Sequence, residues 1–304
     1  MDELSAAGIT DPQLRASYAQ CKRLNSLHGK TYFLATLFLP KAKRPFVHAL
    51  YGFARYADEI VDDLASTLTV NQKEEKLELW GNSVLQSLKT GKSDDHVAKA
   101  LIDTVQRFSI PHEHFEAFLN SMKMDLRVSE YETYEDLMKY VYGSAAVIGL
   151  EMVPILGALT QEAYKPAETL GVAFQLANFI RDVGEDLERG RIYLPMAELK
   201  EHGVDKEMLY KRQLTPEIIS ALKAQISRVR DLKSVADPGI AFLDPTSRPC
   251  IEAASELYCG IVDEVEKIDY DIFNKRATTS LARRLRVATI AYAKALKARQ
   301  RLPW

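Results

Sequence analysis

Several features that would assign a function quickly are missing from this chain of 304 residues. It contains no GxxxxGK[ST] phosphate loop, no GxGxxG turn and no HExxH helix, so the common signatures of P-loop NTPases, dinucleotide-binding domains and zincins are excluded. Its three cysteines, Cys21, Cys250 and Cys259, form no CxxC pair. An odd number of widely spaced cysteines is typical of reduced core residues rather than of a disulfide framework.

Excess charge and long apolar runs are also lacking. Forty basic and 42 acidic side chains leave a formal net charge of -2, which does not favour a nucleic-acid partner. The longest apolar stretch, residues 145–159, is interrupted by Glu151 and is too short to span a bilayer. The first residues lack the basic and apolar regions of a secretory signal. We therefore expect a soluble, cytoplasmic protein that binds no nucleic acid.

Helical periodicity dominates the rest of the sequence. Apolar residues recur at helical spacing nearly throughout, and no alternating run bounded by turn residues indicates a strand. Because 47% of the residues are apolar, the chain has enough material for a substantial core. We predict one all-α domain over residues 1–304, with short turns at 195–209 and breaks at 90–93 and 237–249. The predicted helices are 12–27, 43–63, 72–88, 94–108, 111–128, 134–156, 162–188, 216–232, 249–267 and 279–299.

Two pairs of aspartates, each separated by four residues, lie within this helical pattern. Residues at i and i+4 lie on the same face of a helix, so each pair projects two carboxylates in one direction. Other polar residues extend each face backwards along the chain. The first stripe is Tyr51, Arg55, Asp58 and Asp62, and the second is Gln175, Asn178, Asp182 and Asp186.

A single pair of this kind is most often part of a solvated helix face. These stripes differ because they carry Tyr, Asn, Gln and Asp rather than Lys and Glu, and because apolar residues surround them. Polar atoms in such surroundings must be paired or metal-bound to offset their desolvation. Carboxylate and amide oxygens suit hard cations, and Mg²⁺ commonly shares its coordination with substrate phosphates. The two stripes therefore predict a Mg²⁺ cluster that grips a phosphorylated ligand.

Two further segments have more than one interpretation. The small residues at 143–149 favour close packing against another helix, and close approach of a ligand is the alternative. The last predicted helix is basic, which is typical of a solvated face, although contact with anionic lipid at the inner face of a membrane is an alternative. Its basic residues are Arg283, Arg284, Arg286, Lys294, Lys297, Arg299 and Arg301.

Long phrases of the sequence resemble the squalene and phytoene synthases, the head-to-head branch of the trans-prenyltransferases. They are HGKTYFLAT at 28–36, ALYGFARYAD at 49–58, and QLANFIRDVGED at 175–186, continued by RGRIYLP at 189–195. The resemblance extends from about residue 28 to residue 276, and its wording is most similar to bacterial phytoene synthases. It implies an isoprenoid-synthase fold whose central cavity opens between the two aspartate-bearing helices.

The resemblance also implies roles for individual residues. The implied ligands of Mg²⁺, with Mn²⁺ as an alternative, are Asp58, Asp62, Asn178, Asp182 and Asp186. The implied substrate-binding residues are His28, Lys30, Thr31, Tyr51, Arg55, Gln175, Asn178, Arg181, Tyr258 and Arg276, with Lys275 as an alternative to the last. The implied catalytic residues are Asp58, Asp62, Asp182, Asp186 and Tyr140, the tyrosine lying near carbocation intermediates. Relative to the family pattern, Gly29 and Thr31 replace small serines and Glu59 replaces an aspartate.

The activity implied by the resemblance is condensation of two geranylgeranyl diphosphates to phytoene through a cyclopropylcarbinyl diphosphate, the first step of carotenoid biosynthesis, without a nicotinamide cofactor. One alternative is a synthase of presqualene diphosphate, squalene or hydroxysqualene that uses farnesyl diphosphate. Another is a non-catalytic helical assembly protein of the same fold. Carbocations must be shielded from water, so we expect an apolar cavity wall. The expected wall residues are Phe33, Leu34, Phe53, Tyr140, Val147, Phe174 and Leu176.

Overall fold

The computed structural model describes residues 1–62 and 67–301, and its regular elements are helices. The first eight α-helices are α1 (Glu3–Ala6), α2 (Pro12–His28), α3 (Lys30–Thr36), α4 (Arg44–Asp62), α5 (Val70–Thr90), α6 (His96–Phe108), α7 (His112–Arg127) and α8 (Tyr134–Val141). The remaining ones are α9 (Val147–Leu156), α10 (Tyr164–Glu188), α11 (Met196–Glu201), α12 (Lys206–Tyr210), α13 (Pro216–Ala236), α14 (Arg248–Tyr258), α15 (Ile261–Lys267) and α16 (Leu281–Arg301). The predicted all-α class is confirmed.

Several helix ends follow from capping residues. Thr133 begins α8 by accepting a hydrogen bond from the backbone N–H of Asp136 at 3.1 Å, as its position in the sequence suggests. Thr215 caps α13 in the same way, with Pro216 at the first helical position. Gly91 ends α5 with a φ of 72°, a left-handed conformation that a residue without Cβ adopts readily.

The long helix predicted at 134–156 is interrupted. A π-helical turn, Tyr142–Ala146, separates α8 from α9 and begins two residues after Tyr140. Such turns insert one residue into the helical ladder and occur frequently at functional sites. The helix predicted at 249–267 is likewise divided at residues 259–260, where the side chain of Arg283 enters. A Cβ on Gly260 would lie 2.2 Å from Nη2 of Arg283.

Some short helices were not predicted. Segments α1 and α3 contain four and seven residues, too few to show a hydrophobic period. The region predicted as short turns at 195–209 contains α11 and α12. Residue 63, the predicted end of the second helix, lies outside the described residues, and α4 is described as far as Asp62.

The apolar core has two main parts, with α10 in the second of them. The first part contains buried residues of α2, α4, α5, α6, α7 and α9, and the second contains residues of α8, α10, α13 and α15. The three cysteines are buried free thiols. None of the helices within the described ranges is long and apolar enough to cross a membrane.

Glycines allow α9 and its π-helical turn to approach neighbouring helices at backbone distance. A Cβ on Gly149 would lie 2.3 Å from the carbonyl oxygen of Ala167 in α10. Reciprocally, a Cβ on Gly171 in α10 would lie 2.5 Å from the carbonyl oxygen of Ala145. Because real Cβ atoms do not approach that closely, the crossing requires glycine at both positions. The close packing predicted for residues 143–149 is therefore confirmed.

Candidate active site

The two aspartate pairs lie on α4 and α10, at positions set by the apolar faces of these helices. In α4, Phe53, Ala57, Ile60 and Val61 are buried, which leaves the adjoining side with Asp58 and Asp62 half-buried. In α10, Ala177, Ile180 and Gly184 are buried, and Asp182 and Asp186 are half-buried. The helical spacing thus produces the two predicted stripes.

Arginines just beyond the end of α10 connect the two stripes. Arg189 Nη1 lies 3.0 Å from Asp62 Oδ2, and Arg191 Nη1 lies 3.0 Å from Asp62 Oδ1. Asp62 is the last residue of α4 that the structure describes, and Arg189 and Arg191 follow the end of α10, so these ion pairs join the corresponding ends of the two aspartate-bearing helices. The stripes therefore meet at one end of the molecule rather than facing solvent on opposite sides.

The predicted diphosphate-binding arginines lie beside the same carboxylates. Arg55 Nη1 donates to Asp58 at 2.7 Å, and Arg181 Nε donates to Asp182 at 2.7 Å. Arg276 Nη2 reaches Asp182 at 3.1 Å, although it is distant in sequence. Lys275, the alternative to Arg276, instead pairs with Asp271 at 3.4 Å. The structure therefore brings Arg276 to the site.

Crowding of carboxylates changes the protonation of two of them. Burial, with the neighbouring Asp62 as the second cause, raises the pKa of Asp58 to about 6. Burial and the neighbouring Asp182 raise the pKa of Asp186 to about 7. Asp125 on α7 contributes to both increases through its own negative charge. A bound cation would relieve this repulsion, because it favours the ionised form of every carboxylate around it.

The side chains of the site fit a hard divalent cation. Besides the four aspartates, Asn178 presents a buried Oδ1 that has no hydrogen-bond partner in the part of the chain that the structure describes. An amide oxygen and several carboxylates are a suitable donor set for Mg²⁺. Guanidinium groups now hold several of these oxygens, and across residues 1–62 and 67–301 no three His, Cys, Asp or Glu side chains converge as a metal site. The metal roles of the five residues remain predictions.

A cavity of about 300 Å³ begins beside the two stripes. Tyr51 and Gln175, one from each stripe, line it, and so do Leu156, Ile240 and Leu243. Most of its lining is apolar, and the helices that contribute to its walls are α2, α3, α4, α7, α9, α10, α13 and α14. The site therefore combines a charged end with a deep apolar pocket.

The prediction of the cavity-wall residues is only partly correct. Phe174 lines the cavity, and its ring centroid is 5.0 Å from that of Tyr258. Leu34 faces outward with 56% of its surface exposed, so its prediction is wrong. Phe53 packs among Trp80 and other rings in the first core region. Among the other expected wall residues, Phe33 packs against the ring of His48, Val147 belongs to the first core region, and Leu176 and Tyr140 belong to the second.

Tyr140 belongs to an aromatic cluster that surrounds an acid overlooked in the sequence. Its ring centroid is 5.6 Å from that of Tyr193, whose hydroxyl donates to Asp125 Oδ1 at 2.5 Å. Asp125 also pairs with Arg191 at 3.2 Å, so it connects the aromatic cluster to the arginine that holds Asp62. Burial raises the pKa of Asp125. Its spacing from the buried Phe118 and Met122 was the available signal, because it places an acid on the buried face of α7.

The other predicted binding residues lie around the same opening. His28 Nε2 is 3.6 Å from Glu59 Oε1, at the C-terminal end of α2. Tyr258 stacks on Tyr32 with their ring centroids 4.7 Å apart. The side chains of Lys30 and Thr31 lie outside what the structure describes, so their assignments stay predictions.

Gly29 explains one departure from the family pattern. A Cβ at this position would lie 2.6 Å from the ring of Tyr51 and 2.8 Å from Oδ1 of Asn25. Glycine therefore permits the ring of Tyr51 to lie directly against the connection between α2 and α3. The missing side chain is compensated by closer packing at the edge of the cavity.

Comparison with known proteins places this geometry in a family. The family model described as squalene/phytoene synthase matches residues 26–283. A chloroplastic phytoene synthase of Daucus carota is 38% identical over 290 residues, covering 93% of this chain and 72% of the relative. Chloroplastic phytoene synthase 2 of Solanum lycopersicum is 36% identical over 289 residues, covering 93% of this chain and 92% of the relative.

Solved structures share the fold. A dehydrosqualene synthase crystallised with a ligand superposes with a TM-score of 0.85 at 24% identity, covering 97% of this chain and 100% of the other. A squalene synthase from Alicyclobacillus acidocaldarius superposes with a TM-score of 0.79 at 24% identity, covering 87% of this chain and 98% of the other. The chain belongs to the squalene/phytoene synthase family, a class of prenyltransferases.

Proposed function

We propose that this protein condenses two molecules of geranylgeranyl diphosphate to phytoene, with loss of two diphosphates and two protons. The intermediate is the cyclopropylcarbinyl compound prephytoene diphosphate, and the product enters carotenoid biosynthesis. The main support for this proposal is that the cluster of carboxylates and guanidinium groups adjoins an apolar cavity. Tyr51 and Gln175, which belong to the two aspartate stripes, line that cavity. Phytoene synthases at 36–38% identity over 93% of the chain support this reaction over others of the family.

Arginines of the chain supply the binding energy for the diphosphate groups. Arg55 and Arg181 present planar guanidinium groups beside Asp58 and Asp182, and such groups bind phosphate oxygens in a bidentate manner. In the described state they are held by Asp58 and Asp182. Divalent cations would hold the carboxylates of Asp58 and Asp182 in place of these arginines, and the guanidinium groups would then be free to bind phosphate oxygens.

The residues that would hold Mg²⁺ are Asp58, Asp62, Asn178, Asp182 and Asp186. Bound there, Mg²⁺ supplies Lewis-acid stabilisation of the departing diphosphate. No side-chain nucleophile is required, because the attacking group is a double bond of the second substrate. The chain's own task is therefore to orient two prenyl groups and to keep water from the allylic cation.

Exclusion of water depends on the cavity walls. Phe174, Ile148 and Met152 present apolar surface to the cavity, so a cation formed there has no oxygen nucleophile from these side chains. Tyr140 lies in the aromatic cluster beside Asp125, and π faces and hydroxyl oxygens stabilise positive charge. Burial raises the pKa of the Tyr140 hydroxyl well above its usual range, so it stays neutral.

We also propose that residues 1–304 act as one domain in the cytoplasm. Two observations support this. The cavity is lined from α2 to α14, so its walls use most of the chain. The three buried free thiols of Cys21, Cys250 and Cys259 are compatible with a reducing compartment.

Product identification tests the function directly. Purified protein is incubated with geranylgeranyl or farnesyl diphosphate and Mg²⁺, with and without NADPH, and the hydrocarbon is identified by mass spectrometry. We expect phytoene from geranylgeranyl diphosphate, with no requirement for NADPH. Squalene or dehydrosqualene as the principal product would overturn the substrate assignment, and absence of pyrophosphate release from both substrates would favour the non-catalytic assembly protein.

A further inference from the structure

The side-chain amide of Asn25, on α2, is only half satisfied by hydrogen bonds. Asn25 is fully buried, and its Oδ1 accepts no hydrogen bond within residues 1–62 and 67–301. A buried acceptor without a donor costs free energy that leucine or methionine would avoid. Such groups are rare in folded proteins, and active sites are one of the places where they occur. Asparagine at this position therefore indicates a role other than packing.

Asn25 belongs to the wall of the apolar cavity. Several buried side-chain atoms have no partner in the described part of the chain, and among their residues Asn25 and Ser144 are the two that line it. Ser144 is half-buried, and its hydroxyl turns freely about one bond. The amide of Asn25 is instead fixed by a neighbour, so its oxygen has a defined direction.

The neighbour that fixes the amide is His48 on α4. Asn25 Nδ2 lies 3.0 Å from His48 Nδ1. An amide nitrogen can only donate, so Nδ1 accepts and the imidazole carries its proton on Nε2. Burial lowers the pKa of His48 to about 4, so the neutral ring keeps this lone pair. The ring also stacks on that of Phe33, with the centroids 5.7 Å apart, and this contact holds its plane.

The unpaired oxygen of Asn25 lies beside Tyr51. A Cβ on Gly29 would be 2.8 Å from Asn25 Oδ1 and 2.6 Å from the ring of Tyr51, so both groups adjoin the same glycine. His48 does not line the cavity, so the amide turns its nitrogen away from the cavity and leaves Oδ1 on the cavity side. Tyr51 precedes Asp58 by seven residues, which is two helical turns or about 10 Å along α4.

An oxygen that can only accept hydrogen bonds selects the charge of its partner. It repels the oxygens of a diphosphate, and a neutral prenyl chain offers it no donor. The allylic cation that remains when a diphosphate departs carries positive charge on carbon. A fixed dipole whose negative end faces that charge stabilises it strongly in apolar surroundings. The reacting species that suits this oxygen is therefore a prenyl cation.

We propose that Asn25 is a further catalytic residue, whose amide oxygen stabilises the prenyl cation in the cavity, and that His48 is the positioning residue that orients it. The inference rests on the proposed function in requiring a prenyl cation, which the farnesyl-using alternative also forms. It depends neither on the length of the chain nor on the final hydrocarbon. Phytoene synthesis and the role of Asn25 can therefore fail separately.

Binding of a matched pair of ligands tests this role without turnover. One ligand is geranylgeranyl trimethylammonium, which has a permanent positive charge, and the other is its neutral isostere, in which carbon replaces nitrogen. Calorimetry in the presence of Mg²⁺ and inorganic diphosphate gives the ratio of their dissociation constants. We expect Asn25→Leu to reduce the preference for the cation by about tenfold. It should also lower kcat by about 10²-fold with KM unchanged, because the interaction forms in the transition state.

His48→Phe tests the positioning role. A phenylalanine ring can still stack on Phe33, but it offers no acceptor to Asn25. The preference for the cation should fall by less than in Asn25→Leu, because the amide remains and is free to rotate. The neutral isostere should bind as it does to the wild type, which a general loss of packing would not allow.

Ser17 supplies a matched control on the same helix. It is also fully buried, and its Oγ lies 3.0 Å from His96 Nδ1, but it does not line the cavity. Ser17→Ala removes a comparable buried hydrogen bond and should keep the wild-type preference and kcat. Thermal melting is recorded for every variant, and Asn25→Ala takes the place of Asn25→Leu if the larger side chain prevents folding.

Two results would overturn the proposal. One is an unchanged preference for the cation in Asn25→Leu or Asn25→Ala. The other is an equal loss of affinity for the cationic and the neutral ligand, which would assign Oδ1 to an ordered water or to packing. The same measurements with farnesyl analogues separate the two hypotheses. A preference for the cation that depends on Asn25 with farnesyl analogues alone would support the role of Asn25 and contradict geranylgeranyl diphosphate as the substrate.

Discussion

Carboxylates that are partly or fully buried occur in two regions of this molecule, and their surroundings are opposite. At the site, Asp62 and Asp182 each form ion pairs with two arginines, and Asp125 accepts a hydrogen bond from a tyrosine hydroxyl. In α9, Glu151 is fully buried, and neither of its oxygens has a hydrogen-bond partner among the residues that the structure describes. Burial alone raises the pKa of Glu151 well above its usual range. A paired acid is ready to exchange partners, whereas an isolated one avoids charge by keeping its proton.

The largest effect that distinguishes the paired acids from the isolated one should come from removing the charge of a paired aspartate. Asp182→Asn should lower kcat by about 10³-fold, since a preorganised electrostatic group at the leaving diphosphate is lost. Pyrophosphate release measures this, and circular dichroism with thermal melting should show the fold intact. Asp231→Asn, at an exposed acid of α13, is the matched control and should keep full activity. Near-normal turnover in Asp182→Asn would remove that residue from the mechanism.

The pH dependence of activity should report the crowding at the site. Asp58 and Asp186 have pKa values of about 6 and about 7, raised by burial and by their neighbours. A protonated carboxyl group does not ligate a cation, so kcat/KM should fall as the pH drops below about 7 and more steeply below about 6. Initial rates between pH 5 and pH 8.5, at one fixed Mg²⁺ concentration below saturation, measure this profile, because protonation then competes with cation binding. A flat profile over that range would contradict the assignment.

Replacing Asp125 should change the same pH profile, with a smaller effect on activity. Asp125→Asn removes one negative charge that raises the pKa of both Asp58 and Asp186, so the acid limb of the profile should move to lower pH. The variant amide still offers an oxygen to the hydroxyl of Tyr193. Turnover near pH 8 should fall by about tenfold or less, because Arg191 loses one of its two partners. An unchanged acid limb would show that Asp125 is not coupled to the pairs.

The isolated acid should affect stability rather than activity. Glu151→Met replaces an unpaired polar group by an apolar one and should stabilise the fold by roughly 1–3 kcal/mol at pH 8. Since the pKa is raised in the folded state, Glu151 costs little stability below pH 4.5, its ordinary pKa, and progressively more above it. The gain in melting temperature should therefore grow from pH 4.5 to pH 8. A destabilised Glu151→Met variant would indicate a partner for this carboxyl group.

Local sequence patterns predicted the parts of the fold that depend on near neighbours. The two aspartate stripes, the long helices and the cap at Thr133 all follow from spacings of three to seven residues. The bridge between Asp62 and Arg191 joins positions 129 residues apart, which no helical period encodes. Asp125 was missed for the same reason, because its partners Arg191 and Tyr193 lie more than 60 residues away.

Cavity lining was the least predictable feature. Phe53 and Phe174 both occur in apolar helical pattern, yet Phe53 packs against other rings and Phe174 faces open space. Periodicity identifies the buried face of a helix, but it does not tell whether a side chain meets another side chain or a void. The π-helical turn at Tyr142–Ala146 could not be predicted either, because this segment contains no proline and nothing in its sequence marks an interruption of the helix.

The glycine crossing of α9 and α10 restricts how this family member can adapt. Because Gly149 and Gly171 bring the two backbones into direct contact, the helices cannot move closer, and separating them would open a gap in the wall. Longer or shorter prenyl chains must then be accommodated by exchanging individual side chains that line the cavity, such as Leu156 or Leu243. Substitutions that change substrate length during evolution would therefore accumulate among the lining side chains, while the backbones of α9 and α10 stayed in place.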